Sequence, residues 1–353
     1  MEFLLNYGLF LAKIVTVLIA FAAILIFAKS VRGKGGTAKG ELEITNLTDQ
    51  HKQTVERLEH HLHEDAFLKA RDKAEKKSAK DIQKAREKEI KKAAKVGDLE
   101  SKRDAHLFVL DFNGSIDAKE VVSLREEVTA ILAVAHKGDE VLLRLESVGG
   151  MVHSYGLASS QLARLKSSGL PLTISVDKVA ASGGYMMACI ADKIVSAPFA
   201  IIGSIGVVAQ LPNFNKVLKK YDIEYEQLTA GEYKRTLTMF GENTDKAREK
   251  YKEELEETHT LFKDFIRDHR SSLDLEKVAT GEHWFGTQAL NLGLVDEIKT
   301  SDDIVVAACK DKTVLAIHYV EKKKMTSKLT ALMGEAADNM LMKLIDRGQR
   351  PIV

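Results

Sequence analysis

The chain has 353 residues, with 52 Lys and Arg against 51 Asp and Glu, a formal net charge of +1. That balance argues against a dedicated nucleic-acid binder, which carries a basic excess, and 45% hydrophobic residues exclude wholesale disorder. Two cysteines, Cys189 and Cys309, exclude a disulfide framework and a CxxC-type zinc site.

Leu4 to Ala28 is apolar apart from Asn6, Lys13 and Thr16. About 20 such residues span a bilayer. The start, Met1-Glu2, lacks the basic region of a cleaved signal peptide, and no A-x-A site follows. Residues 1–35 are therefore expected to be an uncleaved single-pass anchor with its basic flank. Lys29, Arg32, Lys34 and Lys39 follow the apolar run, and by the positive-inside rule they keep the body cytoplasmic. A bacterial inner membrane is the expected location.

Residues 36–103 read as a charged helical spacer. From Leu68 to Lys95 the chain is Lys, Glu, Ala, Arg and Asp with almost no large apolar side chain, a pattern of i,i+4 charge pairs or of a tether. Bases interleaved with acids are no nucleic-acid patch. The cluster His60, His61, His63, Glu64 and Asp65 has no cysteine or scaffold signal beside it, so no metal is expected there.

Residues 104–322 form the expected catalytic body. His106 to Phe112 is a strand and Ala118 to His136 an amphipathic helix. Glu140 to Leu145 is a strand ending at Ser147-Val148-Gly149-Gly150. Ser154 to Ser167 is a helix, Leu172 to Val176 a strand, and Lys193 to Ser196 a short strand. Such alternation implies an α/β fold with a parallel sheet and helical crossovers. Functional groups in these sheets gather at strand-to-helix turns. The apolar stretch Val179 to Leu211 is broken by Asp192, Lys193 and Pro198, so it reads as core rather than as a second span. Thr244 to His269 is a long charged helix. Residues 323–353 read as a C-terminal amphipathic helix suited to packing on a neighbouring subunit.

Ser182 lies between an apolar strand end and a helix start, in Val179-Ala180-Ala181-Ser182-Gly183-Gly184-Tyr185. A hydroxyl there meets free helix N–H groups that suit an oxyanion. An N-cap serine with a glycine turn explains the same residues equally well. A nucleophile needs a base, and no histidine occurs between Ser182 and His259. A lysine base must be neutral. Its reference pKa of about 10.4 must fall by about 3 units, which burial in an apolar pocket can supply. Composition does not select which lysine.

Four segments in order select it: LRLESVGG (Leu143 to Gly150), AASGGYMMA (Ala180 to Ala188), IIGSIGV (Ile201 to Val207) and GEYKR (Gly231 to Arg235). They resemble the signal peptide peptidase A family, membrane-anchored peptidases with a serine-lysine dyad. The resemblance covers about His106 to Lys299. It implies a Clp-protease/crotonase-like core of repeated strand-strand-helix units. It implies Ser182 as nucleophile, Lys234 as general base, Ser204 as the hydroxyl that orients the lysine, and the N–H groups of Gly149 and Gly183 as oxyanion hole. It implies a homo-oligomer acting on signal peptides or membrane-derived polypeptides, bound to the bilayer through residues 4–28, with no metal or cofactor. One departure is visible: the family has Ser-Pro-Gly-Gly where this chain has Ser147-Val148-Gly149-Gly150. Glu232, two residues from Lys234, would share its face in an extended segment; a turn at Gly231 would separate them. The alternatives are a noncatalytic membrane scaffold and a crotonase-like CoA-thioester enzyme.

Overall fold

The computed structural model describes residues 40–63 and 104–321, with isolated positions between 73 and 95. Leu42–Tyr319 forms one compact unit. Its elements in chain order are β1 (Glu41–Asn46), α1 (Leu47–Leu62), β2 (His106–Gly114), α2 (Val121–Val134), β3 (Glu140–Ser147), α3 (Val152–Ser167), β4 (Leu172–Val176), β5 (Val179–Ala181), α4 (Gly183–Ala188), β6 (Lys193–Ser196), β7 (Ile201–Gly203), α5 (Asn215–Lys220), α6 (Asp245–His269), α7 (Leu275–Val278), β8 (His283–Phe285), α8 (Gly286–Asn291), β9 (Glu297–Ile298), α9 (Ser301–Ala308) and β10 (Thr313–Val320).

The main sheet runs β1-β10-β2-β3-β4-β6-β9. Pairing from β10 through β9 is parallel, as the alternation of strands and helices requires. Both faces are covered, so β2 carries a continuous apolar run from Leu107 to Leu110. Phe108, Leu110 and Phe112 enter the larger core. Leu107 and Val109 enter a smaller one on the other face, against Ile304 and Val305 of α9 and Leu47 of α1.

One split in the sheet positions the site. The start of β3 pairs with β4, from Val141↔Leu172 to Arg144↔Ser175. The end of β3 pairs instead with β5, at Ser147↔Ala180. From β5 the ladder passes to β7 and then antiparallel to β8. Asp177, in the turn between β4 and β5, fixes this change of direction by accepting from the Ser301 N–H at 2.8 Å and the Ser301 hydroxyl at 2.5 Å.

The α/β expectation is met. Part of the expected spacer, residues 41–62, is built into the body. Residues 41–46 are an edge strand beside β10, and α1 follows with Thr48 buried. Thr48 Oγ1 accepts from the Val314 N–H at 2.9 Å, tying this segment to the body. The described positions between 73 and 95 are helical and exposed. Among the described residues no helix is long and apolar enough to cross a membrane. The expected anchor, at residues 4–28, and the amphipathic segment 323–353 lie outside the described residues.

Candidate active site

β5 ends in a tight turn. Ser182 has φ 52 and ψ −118, a left-handed backbone that serine rarely adopts, and α4 starts at the next residue. Its N–H is held by the Gly203 carbonyl at 2.8 Å and its carbonyl by the Met186 N–H at 3.0 Å. A strained serine between strand and helix presents its Oγ outward, the geometry of a nucleophile elbow. Ser204 leaves β7 beside it, with φ 48, and its N–H donates to the Glu282 carbonyl at 2.6 Å. The ladder contact Ala181↔Gly203 brings these two serines together.

The turn after β3 closes on the same point. Gly149 has φ +88, and a Cβ on it would lie 2.7 Å from both the Gly183 nitrogen and the Ser182 Cβ. Only glycine permits that approach and that φ. Gly149 was expected to donate to an oxyanion, yet its N–H donates to Ser147 Oγ at 3.1 Å. The N–H groups of Gly150 and Gly183 make no hydrogen bond among the described residues.

A cavity of about 560 Å³ opens over this turn, lined by Val148, Gly149, Gly150, Ser182, Ser204 and His259, among others. His259 reaches it from α6. Its Nε2 is buried and has no hydrogen-bond partner among the described residues. Sequence reading passed over this histidine because α6 is a run of charges. Its register facing the cavity depends on the buried Phe262 and Ile266 of the same helix.

Lys234 is not in this cavity. It lies exposed in the segment between β7 and α6. Gly231, at φ +94, makes the turn that the sequence allowed, and the Lys234 N–H donates to the Gly231 carbonyl at 3.2 Å. Glu232 is directed away to Lys246 at 2.7 Å, and that ammonium holds its carboxyl below the usual range. The same segment exposes large apolar side chains: Val208 and Leu228 are 80% and 87% exposed, and Phe214, Val217, Tyr221 and Tyr233 are also open.

A second cleft, about 420 Å³, lies at the ends of β2, β3 and β4. Both of its cations are paired with carboxylates, Arg144 with Asp111 and Lys178 with Glu146. Among the described residues no group of His, Cys, Asp or Glu is placed to hold a metal ion.

Residues 2–162 match the N-terminal part of peptidase family S49, and residues 164–315 match peptidase family S49 itself. A probable protease SohB of Haemophilus influenzae is 50% identical, over 99% of this chain and 98% of that protein. A probable protease SohB of Buchnera aphidicola is 51% identical, over 98% of each. The chain belongs to peptidase family S49, as a SohB-like member. Membership in S49 supports a peptidase and speaks against a CoA-thioester enzyme. Among solved structures, the ClpP protease catalytic domain of Plasmodium falciparum is similar at 11% identity and a TM-score of 0.36, covering 55% of this chain and 85% of that one.

Proposed function

We propose that the protein is a membrane-anchored serine endopeptidase that cleaves signal peptides or other membrane-derived polypeptides through Ser182 and Lys234. The observation that carries this reading is the Ser182 elbow, with φ 52, set against the Gly149–Gly150 turn in one cavity. Neutral Lys234 takes the Ser182 proton as Oγ attacks the peptide carbonyl. Gly183 supplies one oxyanion N–H. The other comes from the Gly150 N–H, in the turn that the Gly149–Ser147 hydrogen bond holds. The lysine then protonates the leaving amine, and water hydrolyses the acyl-enzyme. Ser204 orients the lysine. Among the described residues its Oγ donates to the Gly281 carbonyl alone, at 3.4 Å.

An exposed lysine lacks the desolvation that a base requires. Seating a second copy of the chain on the apolar segment 208–240 would bury that surface and cover Lys234 together. This favours a homo-oligomer as the active form. The apolar residues 4–28 anchor it, and the basic flank keeps the body cytoplasmic.

One observation favours a second base. His259 lines the cavity with an unpartnered Nε2, whereas Lys234 does not reach it. Peptide hydrolysis by the detergent-solubilised full chain separates the readings, with Ser182→Ala, Lys234→Ala and His259→Ala beside wild type. The dyad requires loss in the first two and residual activity in the third. Loss in His259→Ala with activity kept in Lys234→Ala would replace the lysine by the histidine. No hydrolysis and no fluorophosphonate labelling of wild-type Ser182 would leave the scaffold.

A further inference from the structure

Tyr155 is a fully buried tyrosine on the first turns of α3, outside every motif that marks the catalytic residues. Its hydroxyl has two oxygen neighbours. The Ser115 carbonyl, 2.8 Å away, can only accept, so the single phenol proton goes there. Ser147 Oγ, 2.5 Å away, must then donate to Tyr155 Oη. Ser147 Oγ in turn accepts the Gly149 N–H at 3.1 Å. The chain therefore runs in one direction: Gly149 N–H to Ser147, Ser147 O–H to Tyr155, Tyr155 O–H to the Ser115 carbonyl. Each hydroxyl donates once, and none can reverse without leaving a buried group unpaired.

The same ring touches the other half of the site. A Cβ on Gly183 would lie 2.5 Å from Tyr155 Cγ, and a Cβ on Gly114 would lie 2.5 Å from Tyr155 Oη. Phe112 fixes the ring from the side, edge-on at 6.4 Å. One side chain thus supports the residue after Ser182 by contact and the turn at Gly149 by hydrogen bond. Val148, in that turn, has no ring to lock its φ.

We propose that Tyr155 is a positioning residue for catalysis: through Ser147 it holds the 148–150 turn so that its amides stand at a fixed distance from Ser182 and the Gly183 N–H. The proposal rests on the peptidase reading above. An oxyanion site works by preorganised donors, and displacement of about 1 Å costs about 100-fold.

The test is Tyr155→Phe, which keeps the ring and its contacts and removes the O–H, with Ser147→Ala and the double variant, in the full-length protein. The readouts are kcat and KM on a peptide that wild type cleaves, affinity for a peptide aldehyde that forms a tetrahedral adduct, and thermal midpoint. The expected result is a fall in kcat of about 10- to 100-fold with KM changed less than about 3-fold. Aldehyde affinity should fall in parallel, and the double variant should be no worse than Ser147→Ala. Unchanged kcat in folded Tyr155→Phe would overturn the proposal, as would additive losses in the double variant. If Tyr155→Phe does not fold, Ser147→Ala decides, and full kcat there overturns it. Wild type that neither hydrolyses peptide nor forms the aldehyde adduct would overturn the peptidase reading and this proposal with it; wild type that does, beside an equally active Tyr155→Phe, overturns this proposal alone.

Discussion

Gly149 and Ser182 are packed so closely that a side chain on the first would collide with the second. The distance from an added Cβ to the Ser182 Cβ is 2.7 Å, and φ +88 adds strain for any other residue. Gly149→Ala is therefore expected to push the turn away from the nucleophile. Fluorophosphonate labelling of Ser182 should slow by about 100-fold, the scale of a lost oxyanion donor. Labelling within about 2-fold of wild type would contradict this placement.

Glu127 is a buried carboxyl on α2, 4% exposed. Burial pushes its pKa up to about 7, with nearby Asp111 adding to the effect and the Tyr319 N–H, 2.8 Å away, opposing it. The folded state thus holds this proton more tightly than the unfolded chain. The resulting stability is full below about pH 4.5 and is lost as pH rises through about 7. Glu127→Gln keeps an acceptor for Tyr319 and removes the charge. Above pH 7 it should raise stability by at most about 3 kcal/mol. Denaturant titrations at pH 4 and pH 8 would show little gain at pH 4 and the full gain at pH 8.

Arg270, at the end of α6, bonds both oxygens of Asp296 at 2.9 Å and the Gly293 carbonyl at 2.8 Å. Burial alone would raise the Asp296 carboxyl, but Arg270 and the Ile194 N–H outweigh it and hold it low. Arg270→Ala would leave that carboxylate half-buried and unpaired. The expected loss is about 2 kcal/mol, below the fully buried case because Asp296 is partly solvated. A lower thermal midpoint with the Ser182 labelling rate of the folded protein unchanged is the predicted result.

Thr48 tests where the body begins. Its Oγ1 takes the Val314 N–H, so Thr48→Val strands a buried donor. The cost should be about 1–2 kcal/mol. No destabilisation would return residues 41–62 to the spacer.

The strand-helix rhythm from His106 to Ser196 was legible because parallel strands covered on both faces carry continuous apolar runs, as in Leu107–Leu110 of β2 and Val141–Leu143 of β3. β1 was not, because ELEITN is short and polar and is a strand only through its neighbour β10. β7 and β8, three residues each, likewise owe their form to the ladder that leaves β5.

The sequence by itself determined the chemistry on offer: a serine in a glycine-flanked strand-to-helix turn, a lysine 52 residues on, and four segments in order that resemble one peptidase family. Only the tertiary structure decided which groups meet. It placed His259 in the cavity and left Lys234 exposed, and it turned the Gly149 N–H onto Ser147, which is bonded in turn to Tyr155. Spacing along a chain fixes which residues share a face of one element. Contacts between elements far apart in sequence are fixed by packing, where a split in the sheet and a buried phenol leave no periodic trace.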